Sequence, residues 1–295
     1  RLRSNVSGRM HMISKDSANT LLVARAGRSG LATLGILLLL SAVGCTGNVQ
    51  LTAKKVSYRA TARQNYKKGT KALKAKSFED ATKYFKFVRS RYPFSKYATL
   101  AELRLADVLR ESEKFIAAID AYKTFTKEHP THPNVEDGYA AYNIGYCYWR
   151  LTPSSFFILP PANEKDQTST EAAMLAFKRF LKRFPDSKHR KKAKEYYHKA
   201  LKQLAGHELY VARFYLSRNK PKGAIFRLEY LIKRYPDAGY QPEVMFLLGR
   251  TYLRMKKPKQ ARKVFQQLIK KHPGNYNAKK AQRYIAFIAK RFGLK

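Results

Sequence analysis

Few side chains of this chain stand where they could do chemistry, and those few point to attachment and binding more than to bond-breaking. Cys45 follows Ala42, Val43 and Gly44 at the end of an apolar run, residues 31–40, so its thiol is a candidate for modification. The other cysteine, Cys147, lies among Tyr146, Tyr148 and Trp149, where a thiol serves as a small core residue. His129 and His132 could touch a metal, but Pro130 and Pro133 suit a turn better and no third ligand stands nearby in the sequence. No metal and no cofactor is therefore expected. Tyr139, Tyr142, Tyr146 and Trp149 recur at steps of 3, 4 and 3, which puts four aromatics on one helix face. A nucleophile elbow, an HExxH helix, a phosphate loop and paired carboxylates in an apolar setting are all missing from the sequence. The chain is expected not to be an enzyme.

The elements that must hold these residues repeat. Residues 245–273, MFLLGRTYLRMKKPKQARKVFQQLIKKHP, read as two amphipathic helices, roughly 242–254 and 257–271, across a short basic turn. Gly249 and Ala261 sit where the helices approach, Leu248, Tyr252, Phe265 and Leu268 fill the seam, and Pro273 ends the unit. Aligning on terminal prolines gives Pro93, Pro130, Pro185, Pro236 and Pro273. Twelve residues before each stands Ala81, Ala118, Ala173, Ala224 or Ala261; eight before stands Phe85, Tyr122, Phe177, Leu228 or Phe265. The small residue of the first helix is Gly69, Ala106, Gly145, Ala212 or Gly249. This is the tetratricopeptide pattern of about 34 residues. The expected fold is an all-α superhelical solenoid of five helix-turn-helix repeats, closed by a capping helix near residues 277–291.

Proline spacings of 37, 55, 51 and 37 show that two intervals carry insertions. Residues 152–168 interrupt the third repeat, and an extra helix near 187–204 is expected before repeat four begins around Ala205. The layout is a leader over 1–45, a tether over 46–61, repeats one to three over 62–186 and repeats four and five over 187–295. Arg25 and Arg28 precede the 31–40 run, which is too short to span a bilayer and reads as an export signal. With Ala42-Val43-Gly44 before it, Cys45 resembles a bacterial lipobox cysteine, acylated to become the first residue. Thr46 follows, with no Asp to retain the product at the inner membrane. From residue 46 onward, 54 Lys and Arg face 19 Asp and Glu, a net charge of about +35. That charge could meet anionic lipid, lipopolysaccharide, peptidoglycan, acidic proteins or DNA, or could simply solvate helix faces. No recognised nucleic-acid-binding motif is present, and no nucleic-acid partner is expected.

Three stretches carry a family resemblance: residues 92–107 (YPFSKYATLAELRLAD), 160–184 (PPANEKDQTSTEAAMLAFKRFLKRF) and 207–236, with its AIFRLEYLIKRYP segment. Together with five repeats and an insertion in the third, they resemble the BamD (ComL/YfiO) family of outer-membrane protein assembly lipoproteins. The resemblance implies a non-enzymatic lipid-anchored subunit on the periplasmic side of the outer membrane. By resemblance, its N-terminal repeats receive the terminal signal of unfolded barrel proteins. Its C-terminal repeats dock on the POTRA modules of a BamA-like barrel subunit, with other assembly lipoproteins as further partners. Counting from the small-residue positions lines the substrate groove with Tyr66 and Lys74, Asp107 and Arg110, then Tyr139, Tyr142, Tyr146 and Trp149. An aromatic, cationic groove suits a signal ending in an aromatic residue, although these rings could instead pack beneath the 152–168 insertion. The family's POTRA-contacting Arg maps onto Arg227, with Glu229 beside it; Arg227 precedes a core position and is expected to point away from the seam.

Overall fold

The computed structural model describes residues 56–154 and 161–294. Cys45 and the leader, residues 46–55 of the tether, and Phe156, Phe157 and Pro160 of the insertion lie outside the described residues. The described residues belong to one compact unit. Five helical hairpins follow one another: α1 (Ala62–Lys74) with α2 (Phe78–Arg91), α3 (Lys96–Glu111) with α4 (Phe115–Glu128), α6 (Tyr139–Arg150) with α7 (Thr168–Arg183), α8 (Arg190–Ser217) with α9 (Pro221–Arg234), and α10 (Gln241–Arg254) with α11 (Pro258–Lys271). A single turn, α5 (Pro133–Glu136), precedes the third hairpin, and α12 (Tyr276–Phe292) closes the array. Substantial helix contacts reach no further than the second neighbour along the chain, as stacked repeats require.

The small residues work as expected. A Cβ on Gly69, Gly145 or Gly249 would meet the ring of Phe85, Phe177 or Phe265 at 2.8, 2.8 or 2.4 Å. All three rings are fully buried, so each hairpin closes by setting an aromatic ring directly on backbone. Four hairpins turn through a left-handed residue at the same place, Lys76, Glu113, Asn219 and Lys256. The third, which carries the insertion, shows no such residue among those described.

Two features differ from the sequence reading. The extra helix and the first helix of repeat four are one continuous helix of 28 residues, α8. Ala193, Ala200, Leu201, Leu204, Ala205, Leu209 and Ala212 form a buried stripe along it, so nothing interrupts the helix at Ala205. The last six residues of the tether, 56–61, also pack on repeat one. Arg59 exchanges two 2.8 Å hydrogen bonds with Asn65, and Tyr58 stacks on Phe87 with centroids 4.0 Å apart. Among the described residues no helix is long and apolar enough to cross a membrane.

Candidate functional site

The cleft between the first helices of repeats one to three is built from α1, α3 and α6. Tyr66, Lys74, Arg104, Asp107, Arg110 and Tyr139 line a cavity of about 440 Å³. A neighbouring cavity of about 430 Å³ shares Lys76 and Arg110 and adds Tyr146 and Arg150. Six of the eight expected groove residues thus meet here. Lys76, Arg104 and Arg150 were not anticipated, although Arg104 stands one helical turn before Asp107 on the same face.

Asp107 is the hub of the cleft. It is 1% exposed and accepts hydrogen bonds from Tyr122 at 2.5 Å, from Tyr139 at 2.8 Å and from the Arg104 guanidinium. Arg104 Nε in turn donates to the Tyr66 hydroxyl, and Arg110 Nε to the Tyr122 hydroxyl, each at 3.2 Å. One carboxylate therefore ties repeats one, two and three together. Burial, then the Asp107 charge, pushes the Tyr139 hydroxyl up to about 12, and the same causes raise Tyr122 well above its ordinary value, so both phenols remain donors. Burial works against the charge on Arg104, but Asp107 and Tyr66 outweigh it and hold the guanidinium charged. With its oxygens committed, Asp107 positions the wall; Arg110 pairs with Glu111 at 2.8 Å and Arg150 with Glu113 at 2.7 Å, whereas Lys74 and Lys76 make no ion pair among the described residues.

The four-aromatic ladder divides. Tyr139 reaches Asp107, whereas Tyr142 stacks on His189 at 4.6 Å. Tyr146 sits 5.9 Å beneath both Arg110 and Arg150 and meets the edge of Tyr196 at 5.8 Å. Trp149 packs on Tyr196 and into the core between repeats three and four. The described rings are half-buried against the start of α8. The described ends of the insertion lie further along α8, where Gln203 donates to the Pro153 carbonyl and His207 meets the Asn163 carbonyl. Cys147 is fully buried, and burial pushes its thiol up to about 12. His129 and His132 do not share a site: His132 caps α5, while His129 meets Glu102 at 2.8 Å with Glu128 beside them. Glu102, 27 residues earlier, is the neighbour of His129 that sequence spacing did not reveal.

Arg227 and Glu229 address different neighbours. The Arg227 guanidinium is turned across the α8–α9 seam onto Glu208, at 3.1 and 3.5 Å, and Glu208 is 8% exposed. This corrects the expectation that Arg227 points away from the seam with its fork free, because a buried carboxylate 19 residues earlier claims it. Glu229 instead accepts from the Tyr252 hydroxyl of repeat five. Phe226 and Tyr230, one helical turn apart on α9, are exposed beside them. They lie off the Ala224–Leu228–Leu231 core stripe, a signal already present in the sequence.

Stacked helical hairpins whose seams close glycine or alanine onto a large side chain, and whose cleft offers cations and phenols, define a tetratricopeptide scaffold. A tetratricopeptide-repeat model matches residues 246–293. More specifically, the chain belongs to the YfiO family of outer membrane lipoproteins, whose model matches residues 59–268. It is similar to the outer membrane protein assembly factor BamD of Neisseria meningitidis (strain Z2491), 27% identical over 220 residues, covering 74% of this chain and 81% of the relative. The BamD of Caulobacter vibrioides is 25% identical over 222 residues, covering 75% and 69%. That of Haemophilus influenzae is 27% identical over 209 residues, covering 70% and 77%.

Proposed function

We propose that this chain is a non-enzymatic, lipid-anchored scaffold of outer-membrane β-barrel assembly, attached through Cys45 and facing the periplasm. Repeats one to three receive the C-terminal signal of unfolded barrel proteins, and repeats four and five dock the POTRA region of a BamA-like subunit. The observation that carries the first half is the cleft itself, where Lys74, Lys76, Arg104, Arg110 and Arg150 surround Tyr66, Tyr139 and Tyr146. A terminal carboxylate finds the Lys74 and Lys76 ammonium groups there, and a terminal aromatic side chain finds rings. For the second half, Arg227, Glu229, Phe226 and Tyr230 supply a charged and aromatic patch on α9, the mixture common at binding hot spots.

Fluorescence anisotropy with a labelled peptide ending in Phe tests the cleft. The free acid binds more tightly than the C-terminal amide, and Lys74→Ala/Lys76→Ala removes most of that difference. Equal affinity for acid and amide would defeat the reading. Salt separates it from capture of an anionic polymer on the general basic surface. Polymer binding collapses as salt rises, whereas a contact seated on rings persists.

A further inference from the structure

The positive charge of the chain is not evenly mixed with acid. Downstream of Glu243 the 52 residues 244–295 hold 15 Lys and Arg and no Asp or Glu. Among the described residues, none of these cations makes an ion pair with a carboxylate. A solvated helix face ordinarily intersperses both signs. Here α11, α12 and the part of α10 beyond Glu243 present one sign alone.

α12 is where that charge meets exposed rings. Its inner face, with Ala278, Ala281 and Ile288, is buried against repeat five. Its outer face carries Tyr276, Lys279, Arg283, Phe287 and Lys290 at steps of 3, 4, 4 and 3, all exposed. Tyr276 is 68% exposed and Phe287 54%, and Phe287 pairs edge-on with the exposed Phe292 at 6.5 Å. Arg291 adds a further exposed cation at that end. Aromatic rings alternating with cations along one stripe fit the boundary of an anionic bilayer, where rings settle at headgroup level and each cation gains from the surface potential.

We propose that α12 is a membrane-surface contact that binds anionic phospholipid headgroups and lays the C-terminal end of the solenoid on the bilayer. The inference rests on the outer-membrane family assignment and goes beyond the peptide cleft and the α9 patch. The family match stops at residue 268, short of α12. A bilayer surface is favoured over nucleic acid because a member of an outer membrane lipoprotein family works beside one. A weak acyl attachment becomes firm when a polybasic patch is added to it, and α12 would supply that second attachment.

The test uses the full chain carrying Cys45→Ser, so that no acyl group contributes, in vesicle flotation. Vesicles of phosphatidylglycerol mixed with phosphatidylcholine should retain the protein, and vesicles of phosphatidylcholine alone should not. Lys279→Ala/Arg283→Ala/Lys290→Ala should lower retention roughly a hundredfold, as loss of three surface cations implies. A control, Lys191→Ala/Lys192→Ala/Lys194→Ala on α8, removes the same charge and should change retention less than threefold. Phe287→Ala/Phe292→Ala should weaken retention and leave the remainder more easily removed by salt. Melting curves matching the parent keep the comparison between folded proteins. An equal loss from both triple variants would overturn the proposal, as would retention on uncharged vesicles. So would tighter binding to a single-stranded oligonucleotide than to the mixed vesicles. None of these outcomes bears on peptide binding in the cleft, which anisotropy reads separately.

Discussion

Removing the hub of the cleft should loosen three repeats at once. Asp107 is buried, and its carboxylate receives Tyr122, Tyr139 and the Arg104 guanidinium. In Asp107→Ala the Arg104 charge and two largely buried phenols lose their acceptor together. A single hydrogen bond to a charged group contributes about 1.5–3 kcal/mol, but three that share one acceptor do not add. Breaking a buried charged pair by deleting one side costs about 3–5 kcal/mol, and that range is the expectation here. For an ordered array of this size it corresponds to a melting temperature roughly 6–20 °C lower. Differential scanning calorimetry, with urea unfolding as a second reading, measures it. Asp107→Asn keeps the shape and part of the accepting capacity, so it should fall between the parent and the alanine variant. A double-mutant cycle with Tyr139→Phe should return a coupling of about 0.5–3 kcal/mol, because the two groups touch. If Asp107→Ala melts within about 2 °C of the parent, the hub does not hold the repeats and the reasoning fails.

Other expectations follow from the same structure. Gly249→Ala should destabilise by about 1–3 kcal/mol, as overpacked cores do, and more than Gly69→Ala, since its Cβ would stand 2.4 Å rather than 2.8 Å from the facing ring; a Phe265→Leu background should recover part of the loss. Arg227→Ala should lower the melting temperature and not only weaken capture of the barrel subunit, because Glu208 is left buried without its partner. Glu208→Gln releases the Arg227 guanidinium, so undiminished capture of the barrel subunit there, with loss in Arg227→Ala, would assign the Arg to docking. Burial, then Lys188, lowers His189 below its ordinary 6.5. The folded state therefore favours the neutral ring, and its contribution is whole above 6.5 and lost as pH falls through the depressed value. Thermal melts should weaken on acidification over that window, and His189→Phe, which keeps a ring on Tyr142, should flatten part of the slope. Cys45→Ser should reduce the protein's share of the outer-membrane fraction and leave the remainder removable by salt, read by fractionation and blotting.

The repeats were legible because their seams are local. Gly69 meets Phe85 sixteen positions later, Gly249 meets Phe265 at the same interval, and the pattern recurs whatever lies between units. The continuous α8 was not legible. The template supplies a starting point for repeat four, but it contains no rule that the preceding helix must stop. Part of the cleft lining was legible, since α-helical spacing set Tyr139 and Tyr146 on one helix face, and that face lines the two cavities. It could not foresee that α8 would return to take up Tyr142 and Trp149. The pairings that fix the site lie 15, 19 and 32 residues apart, as Asp107 with Tyr122, Glu208 with Arg227 and Asp107 with Tyr139. No periodicity in a single sequence encodes such pairs; they exist only once the hairpins have stacked. The exposed pair Phe226 and Tyr230 was legible, since both stand off the Ala224–Leu228–Leu231 core stripe.

The length of α8 has a mechanical meaning. Its 28 residues make a beam about 42 Å long. Near one end Tyr196 touches Tyr146 and Trp149, and His189, just before its first turn, lies on Tyr142. Further along, Glu208 holds Arg227. A beam with no joint does not absorb a displacement; it passes it on. A tilt of about 5° introduced beneath the aromatic ladder would carry the far end of the helix by roughly 4 Å. A peptide that wedges those rings apart would therefore act as a lever on α9, and a partner seated on α9 would stiffen the floor of the cleft in return.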